Sequence, residues 1–209
     1  LPDEGSVEIS DFNGKKQQLS LGNPQSAIAA GIGMVHQHFT LAENLTALDN
    51  ILLGSEPLFN FSRKQALARG NIENIMSQSG LKVPLDIPVG QLTVGEQQRI
   101  EILKALYRDV RILVLDEPTA VLTPQEADVL FQNIGVMTQN GLSVIFISHK
   151  LREVLAFSHR IAVLRHGEKV GEMATSEANE QKIASLMVGS QAKAKERKYV
   201  APGNVVLSL

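Results

Sequence analysis

The sequence of 209 residues contains no cysteine and no tryptophan, and its aromatic residues amount to only 4%. Without cysteine the chain can form no disulfide and can offer no thiolate to a metal ion, which fits a reducing compartment. No apolar run approaches the roughly 20 residues that a membrane-spanning helix needs. No signal-peptide pattern is visible either. If the protein acts at a membrane, we therefore expect another subunit to span it.

A strong bias of charge is also missing. Acidic and basic residues are interspersed, and the formal net charge is −2. Domains that bind nucleic acid usually carry a basic patch or stripe, so we expect no nucleic-acid partner. Apolar residues make up 44% of the chain, which is typical of a soluble globular domain with a sizeable core.

Strand and helix patterns alternate along much of the chain and predict an α/β fold with a mostly parallel sheet covered by helices. Asn13-Gly14 predicts a hairpin between residues 7–12 and 15–19. Further strands are predicted over residues 32–35, 112–115, 143–147, 160–164 and 169–173.

Helix signals fill the segment between about residues 41 and 109 and return afterwards. A capping box, Ser62 with Gln65, predicts one helix start, and Thr123 with Glu126 predicts another. The apolar residues of the helix after Thr123 recur at helical spacing and predict a buried stripe of Ala127, Leu130, Ile134 and Met137.

Two acidic residues follow the apolar strand at 112–115, at the edge where open α/β sheets bind ligands. Asp116 can hold Mg²⁺ there, because Mg²⁺ prefers hard oxygen ligands and keeps part of its hydration. Glu117 can orient and polarise an attacking water. A lone Asp-Glu pair at a strand end is more often without chemistry, so the interpretation depends on its neighbours.

Three other elements carry polar groups suited to a phosphate. Residues 92–99 read LTVGEQQR before a predicted helix, and Gly95 lets backbone amides approach an anion closely. Gln37 follows one strand and can reach a metal ion or water, while His149 follows another and can contact a terminal phosphate. Taken singly, each has an ordinary structural explanation. A metal pair of His36 and His38 would lack a third ligand.

Together, in this order and spacing, the motifs resemble those of the ATP-binding cassette family over nearly the whole chain. The resemblance implies that Asp116 is the Walker B carboxylate, Glu117 the catalytic glutamate, Gln37 the Q-loop glutamine and His149 the switch histidine. ATP and Mg²⁺ are the implied cofactors, with both Asp116 and Gln37 near the metal. The implied signature loop consists of Thr93, Val94, Gly95 and Glu96.

Longer stretches narrow the resemblance to the first cassette of double-cassette ATPases for simple-sugar and nucleoside uptake in bacteria, with a leaning towards nucleosides. These stretches are GIGMVHQHF, LTVGEQQRIEILKAL, LDEPTAVLTPQE and VIFISHKLREV. The resemblance implies a peripheral ATPase at the cytoplasmic face of the plasma membrane. Its partners would be transmembrane permease subunits, a second cassette and, indirectly, an extracytoplasmic substrate-binding protein.

Two features depart from the family pattern. The sequence contains no G-x-x-x-x-G-K-[ST], and Gly14-Lys15, the nearest candidate, is followed by Lys16 in a hairpin turn. The P-loop normally cradles the phosphates. We therefore expect a fragment whose P-loop lies upstream and which is inactive alone. Thr123 also stands where the family's D-loop usually ends in aspartate.

The resemblance divides the chain into a partial ATPase core, a helical subdomain with the signature loop, and a linker that leads into a second cassette. The corresponding residues are 1–40 with 110–189, 41–109, and 190–209. Without the P-loop strand, the strands at 143–147 and 160–164 would have open edges, so we expect the isolated chain to form a homo-oligomer.

Two other functions remain open at this point. A soluble cassette ATPase acting on nucleic acid or ribosomes would carry a longer or more basic insertion than residues 41–109, and residues 44–50 resemble transporter subunits. A catalytically silent binding module is the other alternative.

Overall fold

The computed structural model describes residues 6–10, 16–20, 22–55 and 61–189, and its backbone follows the predicted alternation of strands and helices. The chain divides into two units, Leu1–His149 and Lys150–Leu209. The predicted turn at Asn13-Gly14 and the predicted linker lie outside the described residues. The division into an ATPase core and a helical subdomain stays a prediction.

A three-stranded parallel sheet lies at the centre of the first unit. Its strands are Ile32–Val35 (β3), Ile112–Asp116 (β4) and Ser143–Ile147 (β5), in the order β3-β4-β5. Strand β4 is the middle strand, and its Leu113 and Leu115 are fully buried. Because the strands are parallel, the segments that follow them all leave at the same end of the sheet, where the strands have their carboxyl ends.

Helices cover the face of the sheet that carries Leu113 and Leu115. Helix α4 spans Val94–Leu106 and helix α5 spans Pro124–Gln139. Both contribute buried residues to the hydrophobic core that contains these two leucines. The predicted stripe on α5 is confirmed, since all of its members are buried: Ala127, Leu130, Ile134 and Met137.

The segment between β3 and α4 is helical, as predicted. Helix α2 spans Ala47–Leu52 behind the N-cap Thr46, and helix α3 spans Phe61–Ser79. The prediction that Ser62 caps α3 is wrong, because the helix already begins at the preceding residue. The residues of α2, α3, α4 and the sheet share one hydrophobic core, so this segment is packed against the strands that hold the predicted site.

A hairpin and a short helix precede the sheet. Strands Val7–Ser10 (β1) and Lys16–Leu19 (β2) pair antiparallel, with Val7 opposite Leu19. The rest of the two predicted strands, residues 11–12 and 15, lies outside the described residues. Helix α1 spans Pro24–Ala29, and the side chain of Asn23 accepts a hydrogen bond from the Ser26 amide. Asn23 is therefore the N-cap of α1, and Pro24 is its first-turn proline.

The second unit has its own small core. Its two strands pair antiparallel with each other, and Ile161, Val163, Met173 and Ile183 are buried between them and the helices. The elements are Leu151–Phe157 (α6), Arg160–Arg165 (β6), Glu168–Ala174 (β7) and Glu180–Val188 (α7). Among the described residues, no helix is long and apolar enough to cross a bilayer.

The other face of the central sheet carries exposed apolar side chains. Met34 and Ile145 occupy equivalent positions on either side of Val114, and they are 47% and 56% exposed. Ile147 is 49% exposed, and its strand β5 lies at the edge of the sheet. An exposed apolar face beside an open strand edge favours association with another chain.

We expect the chain to self-associate through this face. Replacing Ile145 with threonine should shift the population towards the monomer, because it removes apolar area at the centre of the exposed face. Val136→Thr, at another exposed apolar position, serves as the matched control. Light scattering over a concentration series measures both. A wild-type chain that is monomeric at every concentration would contradict the prediction.

Candidate catalytic site

Glu117 is placed by an unusual backbone conformation directly after β4. Its φ is 46°, in the left-handed region that side chains other than glycine seldom adopt. Its amide donates to the Ile147 carbonyl at 2.9 Å, which continues the pairing of β4 with β5 by one residue. The chain then turns, and the Ala120 amide donates to the Glu117 carbonyl at 3.1 Å. Such strain persists where surrounding contacts maintain it, and it often marks functional positions.

Two of the predicted catalytic side chains meet. Nδ1 of His149 lies 2.8 Å from Oε1 of Glu117. The Glu117 side chain is only 18% exposed, whereas that of His149 is 70% exposed. Oε2 of Glu117 is buried and has no hydrogen-bond partner among the described residues. The contact orients the carboxylate and leaves one acceptor oxygen for a group that is not part of the described chain.

The predicted metal ligands leave the sheet beside this glutamate. Asp116 ends β4 and is opposite Ile147, while Gln37 is exposed two residues beyond the end of β3. Val35 and Leu115 are paired, so Gln37 and Asp116, which follow them, lie at the same end of the sheet. Across the part of the chain that the structure describes, no group of three or more His, Cys, Asp or Glu could hold a metal ion. A Mg²⁺ ion here would rely on few protein ligands and keep several waters.

The predicted signature loop forms the start of α4. The Thr93 amide and hydroxyl both donate to Oε2 of Glu96 at 2.8 Å, and the Glu96 amide donates to Thr93 Oγ1 at 3.3 Å. Thr93 and Glu96 are thus a reciprocal capping box and bind each other. Val94 is 44% exposed at the tip of the loop.

A second capping box lies against the first. Thr123 and Glu126 repeat the same bonds at the start of α5, as predicted. The backbone amide and then the hydroxyl of Thr123, followed by the charge of Arg99, lower the pKa of Glu126. A Cβ atom on Gly95 would lie 2.9 Å from Oε1 of Glu126, which is closer than real Cβ atoms approach. Gly95 therefore allows the starts of α4 and α5 to pack closely.

Two side chains at this site were missed by the sequence reasoning. Gln98 and Glu101 of α4 are 3% and 9% exposed. Gln98 donates to the carbonyl of Pro118, and Glu101 accepts from Thr40. Their spacing of three residues puts them on one face of the helix. The sequence of α4 mixes polar and apolar residues, so nothing in it distinguishes these two.

The chain belongs to the ABC transporter family, because the model of that family matches residues 1–120. It is 43% identical, over 98% of its own length, to the glucose import ATP-binding protein TsgD13 of Haloferax volcanii. It is 39% identical, over its full length, to the nucleoside import ATP-binding protein NupA of Lactococcus lactis subsp. cremoris. These matches cover only 42% and 40% of the two relatives.

Solved structures agree with the fold. The chain is similar, with a TM-score of 0.64 and 25% identity, to the ATP-binding cassette MJ0796, solved as a dimer in a post-hydrolysis state bound to ADP and Pi. The similarity covers 83% of this chain and 75% of that one. The expected α/β cassette fold is thereby confirmed.

We expect Gly95→Ala to destabilise the chain by about 1 kcal/mol, the typical cost of a lost helix cap. The added methyl group would displace the Glu126 carboxylate from its bonds to Thr123. Gly135→Ala is the matched control, because nothing lies within 4 Å of a Cβ atom there. In the interior of α5 that change should instead stabilise the chain by up to about 1 kcal/mol. Urea unfolding curves measure both variants, and equal effects would contradict this prediction.

Proposed function

We propose that this chain supplies the hydrolytic residues of an ATPase that powers uptake of a simple sugar or nucleoside across a membrane. The observation that carries the proposal is the carboxylate of Glu117, with one oxygen held by His149 and the other buried without a partner. The names of the relatives, a glucose importer protein and a nucleoside importer protein, support the transported class.

Glu117 is the proposed general base. Its free oxygen, Oε2, accepts a proton from the water that attacks the terminal phosphate, while His149 keeps the carboxylate oriented through Oε1. Because the backbone of Glu117 is left-handed, its side chain does not continue the alternation of side chains along β4. Oε2 is buried in the structure, so the proposal requires that ATP binding uncovers this oxygen for the attacking water.

Asp116 and Gln37 are the residues proposed to hold the metal ion. Both leave the same edge of the sheet, and a carboxylate and an amide oxygen suit Mg²⁺. When bound, MgATP supplies the phosphoryl group and the metal charge that stabilises its transfer. His149 is exposed enough to contact the terminal phosphate as well as Glu117.

The loop from Thr93 to Glu96 is proposed to face ATP bound by a second cassette. Val94 is exposed at its tip, and the amides at the start of α4 suit an anion. Permease subunits are the proposed membrane partners, docked on the helical segment before α4, and an extracytoplasmic binding protein would deliver the substrate. The proposed location is therefore peripheral, at the cytoplasmic face of the membrane.

The chain contains no P-loop motif, so we expect residues 1–209 alone to bind MgATP weakly and to hydrolyse none. Among the groups proposed above, only His149 would contact the terminal phosphate of ATP bound to this cassette. The others would serve the attacking water, the metal ion or the ATP of the partner cassette. Tests of hydrolysis accordingly require the complete ATPase that contains this sequence.

In that complete ATPase, Glu117→Gln should leave ATP binding intact and lower hydrolysis by about two to four orders of magnitude. The amide keeps the shape of the side chain and loses the basic oxygen. Glu73→Gln, at an exposed carboxylate of α3 that pairs with Arg69 at 3.7 Å, is the control. Phosphate release and nucleotide binding are measured together. Wild-type turnover in the Glu117 variant would disprove the assignment.

A further inference from the structure

Helix α4 carries a polar face inside an otherwise apolar core. Gln98 and Glu101 are buried and lie on one face of the helix. Around them on α4, Ile100, Ile102 and Leu103 are at most 1% exposed. Both polar side chains bond to backbone groups far away in the sequence, so neither serves the helix itself.

Gln98 holds the Pro118–Thr119 peptide, one residue beyond Glu117. Its Nε2 donates to the carbonyl oxygen of Pro118. On the other side, the Glu117 amide donates to the Ile147 carbonyl. Because proline has no amide hydrogen, its carbonyl is the backbone group through which α4 can hold Pro118. Gln98 and Ile147 together maintain the left-handed backbone of Glu117 from two sides.

Glu101 holds the segment that follows Gln37. Its Oε1 accepts from the Thr40 amide at 2.8 Å and from the Thr40 hydroxyl at 3.2 Å. Thr40 is three residues beyond Gln37, in the extended stretch between β3 and α2. A carboxylate that accepts two hydrogen bonds fixes this stretch more firmly than one neutral contact would.

Gln98 makes its bond while one of its own polar atoms stays unpaired. Its Oε1 is buried and has no hydrogen-bond partner among the described residues. Turning the amide over would place two acceptors together at Pro118, so glutamine can satisfy only one of these groups here. An apolar side chain of the same size would avoid the unpaired oxygen but would leave the Pro118 carbonyl without its donor. Glutamine at this position therefore secures the bond to Pro118.

We propose that Gln98 and Glu101 are positioning residues that fix the backbone of Glu117 and Gln37 relative to each other. This inference rests on the proposed function for the roles of those two residues. Helix α4 is bonded to both backbone segments, so the proposed general base Glu117 and the proposed metal ligand Gln37 move together. Because α4 begins with the loop proposed to face the second cassette, a shift of that loop would reach both residues.

The first test measures amide hydrogen exchange in this chain by NMR. Gln98→Met removes the donor at similar volume, and the exchange of the Glu117 amide should rise by about tenfold or more. Glu101→Met should raise the exchange of the Thr40 amide in the same way. Glu101→Gln keeps an acceptor and should return the exchange of the Thr40 amide towards that of the wild type. Gln97→Met is the matched control, because that amide donates to Val89 and Leu92 instead.

The second test measures steady-state hydrolysis in the complete ATPase. Gln98→Met should lower kcat by about 10- to 100-fold, the effect of a displaced catalytic group, and leave KM for ATP within about twofold. Its unfolding midpoint in urea should fall no further than that of Gln97→Met, which loses two side-chain hydrogen bonds. In the Glu117→Gln background, Gln98→Met should cause no further loss, since it acts through Glu117.

The outcomes separate the two proposals. Unchanged kcat in Gln98→Met, or equal exchange changes in Gln98→Met and Gln97→Met, would overturn the positioning role. A loss of kcat matched by lost stability would overturn it too, because it would show a structural effect only. If the wild-type ATPase hydrolyses no ATP, the proposed function fails, and the exchange measurement alone decides whether α4 fixes these segments.

Discussion

The buried strand β4 and the abrupt way in which it ends determine the position of Glu117, on which the proposed chemistry depends. Leu113 and Leu115 fix the strand in the core, and pairing with β5 continues as far as the Glu117 amide. There the backbone enters the left-handed region, at a cost that only the surrounding contacts can offset. The carboxylate consequently points to a single place beside His149, partly buried, with one oxygen unused.

The two capping boxes explain a departure from the family pattern. Thr123 replaces the usual aspartate of the D-loop, and the structure gives it the same role that Thr93 has at the start of α4. Each threonine and its glutamate satisfy the amides of a helix start. Gly95 lies between the two boxes, so the loop proposed to face the second cassette is packed against the start of α5.

Local signals predicted most of the fold. The capping box of Thr123 and the apolar strands mark elements that the structure contains, because caps and periodicity depend on neighbours in sequence. Helix α3 begins at Phe61, one residue before the predicted cap Ser62. Helix boundaries commonly differ by a residue or two between methods of assignment.

The contacts of the candidate site could not be predicted from the sequence. The order of the motifs brought Glu117 and His149 to one edge of the sheet, but their direct contact depends on the backbone turn after β4. Gln98 and Glu101 escaped notice because their partners, Pro118 and Thr40, lie 20 and 61 residues away in the sequence. Long-range bonds of this kind leave no periodic trace.

The central claim is that Oε2 of Glu117 receives the proton of the attacking water. A structure of the complete ATPase with MgADP and a planar mimic of the transferred phosphoryl group would test it most directly. We expect the in-line oxygen, which marks the attacking water, to lie within about 2.6–3.2 Å of Glu117 Oε2, the reach of a general base. His149 should still be bound to Oε1. An in-line oxygen bound instead by another residue, with Glu117 turned away from it, would contradict the account.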